Sequence, residues 1–283
     1  YPDRTVQPPP AIPRSFQLNA TMAPSNKTIL ITGANRGIGL AFAEHYAKAG
    51  WNVIGTARNV DGADKVIYCA LDSLRPQLKA LSPFKIVQMA VNDEESIKQV
   101  AKELDGIPID LLINNAGIGE MGNIETTTKE SLMRMFEVNS VGPFLVTRAL
   151  LDNLKLAAQA NGTATVASVT TKLGSFEVNL DGAFGPAKKE YGDGHAVPHG
   201  GHYGYRSSKT ALNMINSCLA MDLKQHNIIA IVLEPGFCNT DLTHGYGVIQ
   251  PADSVAGTTK VIAGLTMDDT AKFFDWKGPE IPW

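Results

Sequence analysis

The chain has 283 residues, 44% of them hydrophobic, and a formal net charge of −3, so it can bury one large α/β core. Its basic residues are scattered, which argues against nucleic acid and against an anionic membrane as partners, and no apolar run is long enough to span a bilayer. Three widely spaced cysteines, Cys69, Cys218 and Cys238, exclude a disulfide framework and a zinc site, so no bound metal is expected. They indicate buried thiols in a protein of a reducing, cytoplasmic compartment.

Residues 1–26 differ in composition from the rest of the chain. Five prolines fall within the first thirteen positions, and no helical or strand period is present. This segment is predicted to be disordered, as a Pro-rich N-terminal extension or a cloning remnant. Residues 27–283 are predicted to form a single domain, because no linker-like run interrupts them.

The first predicted strand, residues 27–32, leads directly into the glycine-rich turn G-A-N-R-G-I-G (33–39) and then an amphipathic helix. This arrangement aims backbone N–H groups and the helix dipole at a phosphate. Gly33 lets the chain turn, Gly37 lets a pyrophosphate approach the backbone, and Gly39 lets helix and strand pack closely. A tight turn without a ligand is the alternative. We expect a dinucleotide site.

Two arginines indicate which dinucleotide binds. The second strand, W-N-V-I-G-T-A-R-N (51–59), ends where an NAD-preferring protein keeps an acidic residue for the ribose hydroxyls. This chain has Arg58 there and Arg36 inside the glycine turn. A guanidinium matches a phosphate geometrically, so the pair predicts the 2′-phosphate of NADP(H).

The remaining elements alternate between strand and helix. They are a strand from Lys85, a helix from Asp93, a strand from Ile109, helices from Glu130 and Val141, a strand from Thr163, a helix carrying Tyr205 and Lys209, and a strand from Ile228. The alternation predicts an α/β fold with one Rossmann-type, doubly wound parallel sheet between two helical layers. Ligands of such sheets bind at the carboxyl ends of the strands.

The stretch Y-G-Y-R-S-S-K (203–209) holds a candidate acid–base pair. Residues four apart share one helix face, so Tyr205 and Lys209 are predicted to be neighbours, whereas Tyr203 points elsewhere. A phenol has an ordinary pKa of about 10, and a nearby cation lowers it. Such a phenol can give its proton to a carbonyl oxygen. An ordinary solvated helix face is the alternative.

Five motifs together resemble one family. T-G-A-N-R-G-I-G, N-N-A-G (114–117), Asn139 within E-V-N-S-V-G, Y-R-S-S-K and P-G-F-C-N-T-D (235–241) follow the order and approximate spacing of the short-chain dehydrogenase/reductase family. The resemblance covers residues 27–283. Within that family, G-Y-R-S-S-K-T-A-L-N and the ending F-F-D-W-K-G-P-E-I-P-W are similar to the C-factor and sniffer-type carbonyl reductases.

The resemblance implies roles for individual residues. Tyr205 would protonate the carbonyl oxygen, Lys209 would lower the pKa of Tyr205 and hold the nicotinamide ribose, and Asn139 would position a water. The predicted catalytic residues are Asn139, Thr171, Tyr205 and Lys209. The predicted NADPH/NADP+ site consists of Gly33, Asn35, Arg36, Gly37, Ile38, Gly39, Arg58, Val91, Asn115, Ala116, Gly117, Tyr205, Lys209, Pro235, Gly236 and Thr240.

The sequence departs from the family pattern at two places. Where the family has a serine pair followed three residues later by glycine, this chain has Thr170 and Thr171 before Gly174. Thr171 is therefore expected to supply the substrate-binding hydroxyl, with Ser168 as the alternative if the strand bulges. At the end of strand three, Ala90 replaces the usual aspartate, so backbone groups near Val91 are expected to hold the adenine.

The connection at about 175–202 is longer than usual and carries His195, His199 and His202, whose spacing fits no standard metal site. We interpret it as a flap beside the substrate cleft that also obstructs tetramer formation. A monomer or homodimer is therefore expected rather than a tetramer.

The sequence thus predicts an NADPH-dependent oxidoreductase that reduces an aldehyde or ketone of small-molecule size to an alcohol. Two alternatives stay open. The protein could be an alcohol dehydrogenase or ketoreductase dedicated to one pathway, or a catalytically weak NADP(H)-binding sensor.

Overall fold

The computed structural model describes residues 27–58, 84–180 and 201–283. The predicted disorder of residues 1–26 and most of the predicted flap lie outside the described residues. No helix within these ranges has both the length and the apolar character needed to cross a lipid bilayer.

The described residues form one seven-stranded sheet. Its strands are β1 (Thr28–Ile31), β2 (Asn52–Ala57), β3 (Phe84–Gln88), β4 (Leu111–Asn114), β5 (Ala164–Val169), β6 (Ile228–Glu234) and β7 (Phe273–Asp275). All are parallel, in the order β3-β2-β1-β4-β5-β6-β7. The order reverses between β1 and β4, which makes the crevice where doubly wound folds bind ligands. The short edge strand β7 adds to the six predicted strands.

Helices cover both faces of the sheet. They are α1 (Gly37–Lys48), α2 (Glu94–Glu103), α3 (Lys129–Phe136), α4 (Gly142–Ala149), α5 (Leu151–Asn161), α6 (Phe176–Leu180), α7 (Tyr203–Lys224) and α8 (Pro251–Ala263). Side chains alternate between the faces of a strand, so Leu30 packs in one core cluster while Ile29 and Ile31 pack in the other. The predicted three-layer fold with a single parallel sheet is therefore confirmed.

The two cores hold the strand ends in place. One contains the buried faces of α2, α4, α5 and α7, and the other contains those of α1 and α8. Each fully buried large apolar side chain stabilises the fold by about 1.5–3 kcal/mol. The turns at the carboxyl ends of the strands are therefore attached to a tightly packed sheet.

Candidate active site

The glycine turn after β1 has the conformation that the sequence predicts. Gly33 and Gly37 have φ of 66° and 55°, a region that favours glycine. At position 39 a Cβ would lie 2.2 Å from the Gly33 carbonyl oxygen and 2.5 Å from Asn115 Nδ2. The start of α1 can therefore approach β1 only because Gly39 has no side chain.

The N-N-A-G segment after β4 braces this turn. Asn115 Nδ2 donates to the carbonyls of Thr32 (2.9 Å) and Gly33 (3.1 Å). The Thr32 hydroxyl oxygen accepts the N–H groups of Asn115 and Ala116, both at 2.9 Å. The side chain of Asn115, one of the predicted cofactor residues, thus binds the glycine turn.

The glycine turn also meets the segment that follows β6. A Cβ at position 37 would lie 3.3 Å from Thr240 Cγ2. Beside it, Arg36 Nη1 forms a 2.8 Å ion pair with Asp241 Oδ2, and the two side chains are 63% and 74% exposed. The predicted cofactor residues of these two segments therefore lie together, and Asp241 holds one of the predicted phosphate ligands.

Strands β2 and β3 place Arg58 and Val91 at the carboxyl-end edge of the sheet, where the glycine turn also lies. Arg58 follows β2, its side chain is exposed, and its carbonyl accepts from Gln88 Nε2 at 3.2 Å. Val91 follows β3 and is buried against α4, where a Cβ on Gly142 would lie 2.8 Å from the Val91 carbonyl oxygen. Ala90 donates its N–H to Ser96 Oγ at 3.1 Å.

Asn139 lies in a π-helical turn, Glu137–Val141, between α3 and α4. Such turns interrupt α-helices, frequently at functional sites. The side chain is fully buried. It donates to the Ile118 carbonyl (2.8 Å) and to Ser208 Oγ (3.0 Å), and its Oδ1 accepts the Ile118 N–H (2.9 Å). Asn139 therefore fixes the chain after N-N-A-G against α7.

Lys209 reaches the same place from α7. Its side chain is 4% exposed, and Nζ donates to the Val169 carbonyl at the end of β5 over 2.8 Å. A Cβ at Gly117 would lie 3.6 Å from Lys209 Nζ and 3.2 Å from Asn139 Oδ1. Burial lowers the pKa of Lys209 to about 8, opposed by the negative charge of Glu234.

Tyr205 lies one helical turn before Lys209. A Cβ at Gly119 would lie 3.4 Å from Tyr205 Cδ2 and 3.2 Å from Leu242 Cδ1, so the phenol ring faces the segment after β4. Burial raises the pKa of Tyr205 and the charge of Glu234 raises it further. The pKa of the phenol therefore lies above its ordinary value in this structure, because burial disfavours the charged phenolate.

The two candidate hydroxyls after strand five lie in different environments. Ser168 is inside β5, paired in register with Asn114 and Val232, and is 1% exposed. Thr171 follows the strand and is 8% exposed. Its hydroxyl lies beside the Glu234 carboxyl group and accepts the Leu173 N–H at 3.3 Å.

The turn after β6 carries Pro235 and Gly236. Gly236 has φ of 77°, and a Cβ there would lie 2.9 Å from Trp276 Nε1. The Pro235 carbonyl accepts the Ser254 hydroxyl of α8 at 2.6 Å. Glycine is required here both by conformation and by the close approach of the tryptophan.

Glu234 is a site residue that the sequence interpretation missed. It ends β6 with 4% exposure and contacts Thr171, Lys172 and Gly236. A charged residue at the end of the otherwise apolar run I-I-A-I-V-L, directly before Pro-Gly, is the sequence feature that could have identified it.

Only the ends of the predicted flap are described. Residues 175–180 include α6, and at the other end the His202 N–H donates to the Gly122 carbonyl at 2.7 Å. His195 and His199 lie outside the described residues. Within the described ranges no group of three His, Cys, Asp or Glu side chains could hold a metal ion.

Known proteins with similar sequences and structures agree with this arrangement. The family model for short chain dehydrogenases matches residues 27–188 and 194–247. C-signal from Myxococcus xanthus is 34% identical over 180 residues, covering 62% of this chain and 93% of the relative. Short-chain dehydrogenase anuI from Penicillium roqueforti is 31% identical over 264 residues, covering 88% and 97%.

Two solved structures extend the comparison. The NADPH-bound carbonyl reductase from chicken fatty liver is 30% identical, with a TM-score of 0.75 over 91% of this chain and 99% of that one. The carbonyl reductase Sniffer of Drosophila melanogaster is 25% identical, also with a TM-score of 0.75, over 91% and 100%. This chain therefore belongs to the short-chain dehydrogenase/reductase family of oxidoreductases.

Proposed function

We propose that this protein reduces a carbonyl group to an alcohol with NADPH. The observation that carries the proposal is the convergence of Tyr205, Lys209 and Asn139 on the segment 117–119, beside the glycine turn. One of the similar solved structures is that of an NADPH-bound carbonyl reductase, which supports the same activity here.

The residues present fit a dinucleotide. Gly33 and Gly37 leave the turn at the start of α1 without side chains, and N–H groups at a helix start suit a phosphate. The cofactor, when bound, supplies the hydride for the carbonyl carbon. Residues of the predicted cofactor site that would hold it are the glycine turn, Lys209 and the segment at 235–240.

Tyr205 gives its phenolic proton to the carbonyl oxygen as the hydride arrives. The phenol holds its proton at neutral pH, and transfer of that proton to the carbonyl oxygen requires that the phenolate left behind be stabilised. Lys209 holds its ammonium group at the end of β5 near Asn139. A buried cation at this position favours the phenolate that remains after proton transfer. Asn139 keeps the segment at 117–119 in place.

The direct test is NADPH consumption by the full chain with a panel of aldehydes, diketones and quinones. Turnover with at least one carbonyl is expected. Tight NADPH binding without turnover of any panel member would contradict the proposal.

The preference for NADPH over NADH leads to a prediction about two substitutions. We propose that Arg36 and Arg58 bind the 2′-phosphate of NADPH. Arg58→Asp is expected to weaken NADPH binding by about 10- to 100-fold, because charge-assisted hydrogen bonds are lost, and to spare NADH. Asp241→Asn frees Arg36 from an exposed ion pair, so NADPH should bind up to about fivefold more tightly.

Fluorescence titration of both cofactors measures these effects. Arg148→Asp, an exposed arginine on α4 that pairs with Glu94, is the control for adding negative charge. Equal affinity of the wild type for NADH and NADPH would contradict the role of the two arginines.

The protein hydroxyl that binds the substrate gives another prediction. We propose that the Thr171 hydroxyl, which lies beside Glu234, donates to the carbonyl oxygen of the substrate. Loss of one donor to a developing oxyanion reduces kcat by about 10²–10³-fold, so Thr171→Ala should show a loss of this size. In steady-state kinetics, the kcat of Ser168→Ala should stay near that of the wild type. The opposite result, in folded variants, would assign the role to Ser168.

One alternative has a specific observation in its favour. A catalytically weak NADP(H) sensor fits the replacement of the family's serine by Thr171, whose hydroxyl lies beside Glu234. The name of the relative C-signal also describes a signal rather than a reaction. The grouping of Tyr205 with the buried side chains of Asn139 and Lys209 favours an enzyme, because a binding protein needs no such group of side chains.

The remaining expectations accompany the proposed activity. Four expectations stay predictions: a small-molecule carbonyl substrate, a monomeric or homodimeric state, a cytoplasmic location and a flap near residues 175–202. A pathway-specific alcohol dehydrogenase or ketoreductase would show turnover with one panel member only.

A further inference from the structure

Glu234 buries a carboxyl group at the edge of the sheet where the site lies. A buried carboxylate needs hydrogen-bond donors and positive charge to offset the loss of water. Two backbone donors serve it here. The Gly236 N–H donates to Oε1 over 2.9 Å and the Lys172 N–H donates to Oε2, while the Thr171 hydroxyl lies beside the carboxyl group.

These bonds join two turns that belong to different strands. Thr171 and Lys172 follow β5, whereas Gly236 follows β6, and the two strands are neighbours through the pair Val169 and Leu233. The first turn carries the predicted substrate hydroxyl and the second belongs to the predicted cofactor site. One side chain therefore sets the spacing between them.

Glu234 also contributes charge to the site. The charged and titratable groups that face it are Lys172, Tyr205, Lys209 and Cys238, with Asp275 beside it in β7. Asp275 Oδ2 lies 3.6 Å from Lys172 Nζ, so this lysine is shared by two acids. Burial raises the pKa of Glu234 itself, opposed by Lys172 and the donated N–H groups, and Glu234 in its ionised form raises the pKa of both Tyr205 and Lys209.

We propose that Glu234 is a positioning residue of this active site, which holds Thr171 and the turn at 235–236 in one arrangement and keeps a negative charge beside Lys209 and Tyr205. Its effect on turnover rests on the proposed carbonyl reduction. The positioning itself and the charge can be measured without turnover.

Glu234→Gln is the variant that tests both parts. Glutamine has the same size but only one acceptor oxygen, and its NH₂ group would face a backbone N–H or the Thr171 hydroxyl. Asp275→Asn is the matched control, because it removes the same charge from the register partner in β7, which contacts the first turn only through the Lys172 ammonium group and accepts neither the Lys172 nor the Gly236 amide. Glu234→Asp keeps the charge on a shorter side chain.

Two measurements on the full chain with NADP+ decide the proposal. Hydrogen exchange reports the protection of the Lys172 and Gly236 amides. Carbon-13 NMR of labelled lysine, assigned with Lys209→Met, reports the titration of Lys209, whose pKa is about 8. Glu234→Gln should reduce amide protection by about tenfold or more and move the Lys209 titration to lower pH. Asp275→Asn should change neither.

Kinetics supply a third readout. If the wild type reduces a carbonyl, Glu234→Gln should lower kcat by about tenfold or more, because the site turns lose their fixed spacing. If no carbonyl is turned over, the proposed function fails, while exchange and titration still test the positioning role. Should Glu234→Gln not fold, Glu234→Asp should keep the Lys209 titration and still weaken amide protection. Unchanged protection and an unchanged Lys209 titration would overturn the proposal.

Discussion

Tyr205→Phe should lower kcat for carbonyl reduction by about 10²–10⁴-fold, the range that a positioned general acid contributes. The substitution removes only the hydroxyl and leaves the ring beside Gly119 and Leu242. NADPH affinity should change by less than about threefold, since the glycine turn and both arginines are intact. The effect should therefore appear in kcat rather than in cofactor binding.

Tyr203→Phe is the matched control for this substitution. Tyr203 lies two residues earlier on α7, and its side chain is exposed. Its kinetics should equal those of the wild type. Turnover by Tyr205→Phe within about threefold of wild type would contradict the assignment of Tyr205 as the proton donor.

Gly39→Ala should damage both stability and cofactor binding. The new methyl carbon would lie 2.2 Å from the Gly33 carbonyl oxygen and 2.5 Å from Asn115 Nδ2, so α1 must move away from β1. Overpacking of this kind costs about 1–3 kcal/mol of unfolding free energy. Displacement of α1 also removes the N–H groups that would bind the phosphates, so NADPH affinity should fall by roughly tenfold or more.

Gly264→Ala provides the comparison for that variant. A Cβ at position 264 would lie 3.6 Å from the Lys260 carbonyl oxygen, an ordinary contact at the end of α8. Its unfolding free energy should stay within about 0.5 kcal/mol of wild type in a denaturant titration. Wild-type stability and NADPH affinity in Gly39→Ala would show that the close approach of helix and strand is not needed.

The fold could be predicted from the sequence because each part leaves a local pattern. Apolar β-branched runs predict buried parallel strands, and their alternation with helical periods predicts the layers. The predicted strand I-I-A-I-V-L-E has the same bounds as β6. The three-residue strand β7 could not be predicted, since it is too short to have a period and forms only by pairing with β6.

The interior of the site was less predictable, since contacts between distant residues decide it. The sequence places Asn115 near the cofactor, but only the folded chain shows its side chain bound to Thr32 and Gly33. Spacing along α7 predicts that Tyr205 and Lys209 are neighbours. The raised pKa of Tyr205 depends on burial and on Glu234, which is 29 residues further along the chain.

Hydride transfer from NADPH to a carbonyl carbon can be followed directly with a deuterium label on the cofactor. The measurement is mass spectrometry of the products after the full chain is incubated with the carbonyl panel and NADPH deuterated at the nicotinamide C4. The wild type is expected to form an alcohol that carries one deuterium on the former carbonyl carbon, and Tyr205→Phe is expected to lose this product. Bound NADPH with no deuterated alcohol from any carbonyl would contradict the proposed carbonyl reduction.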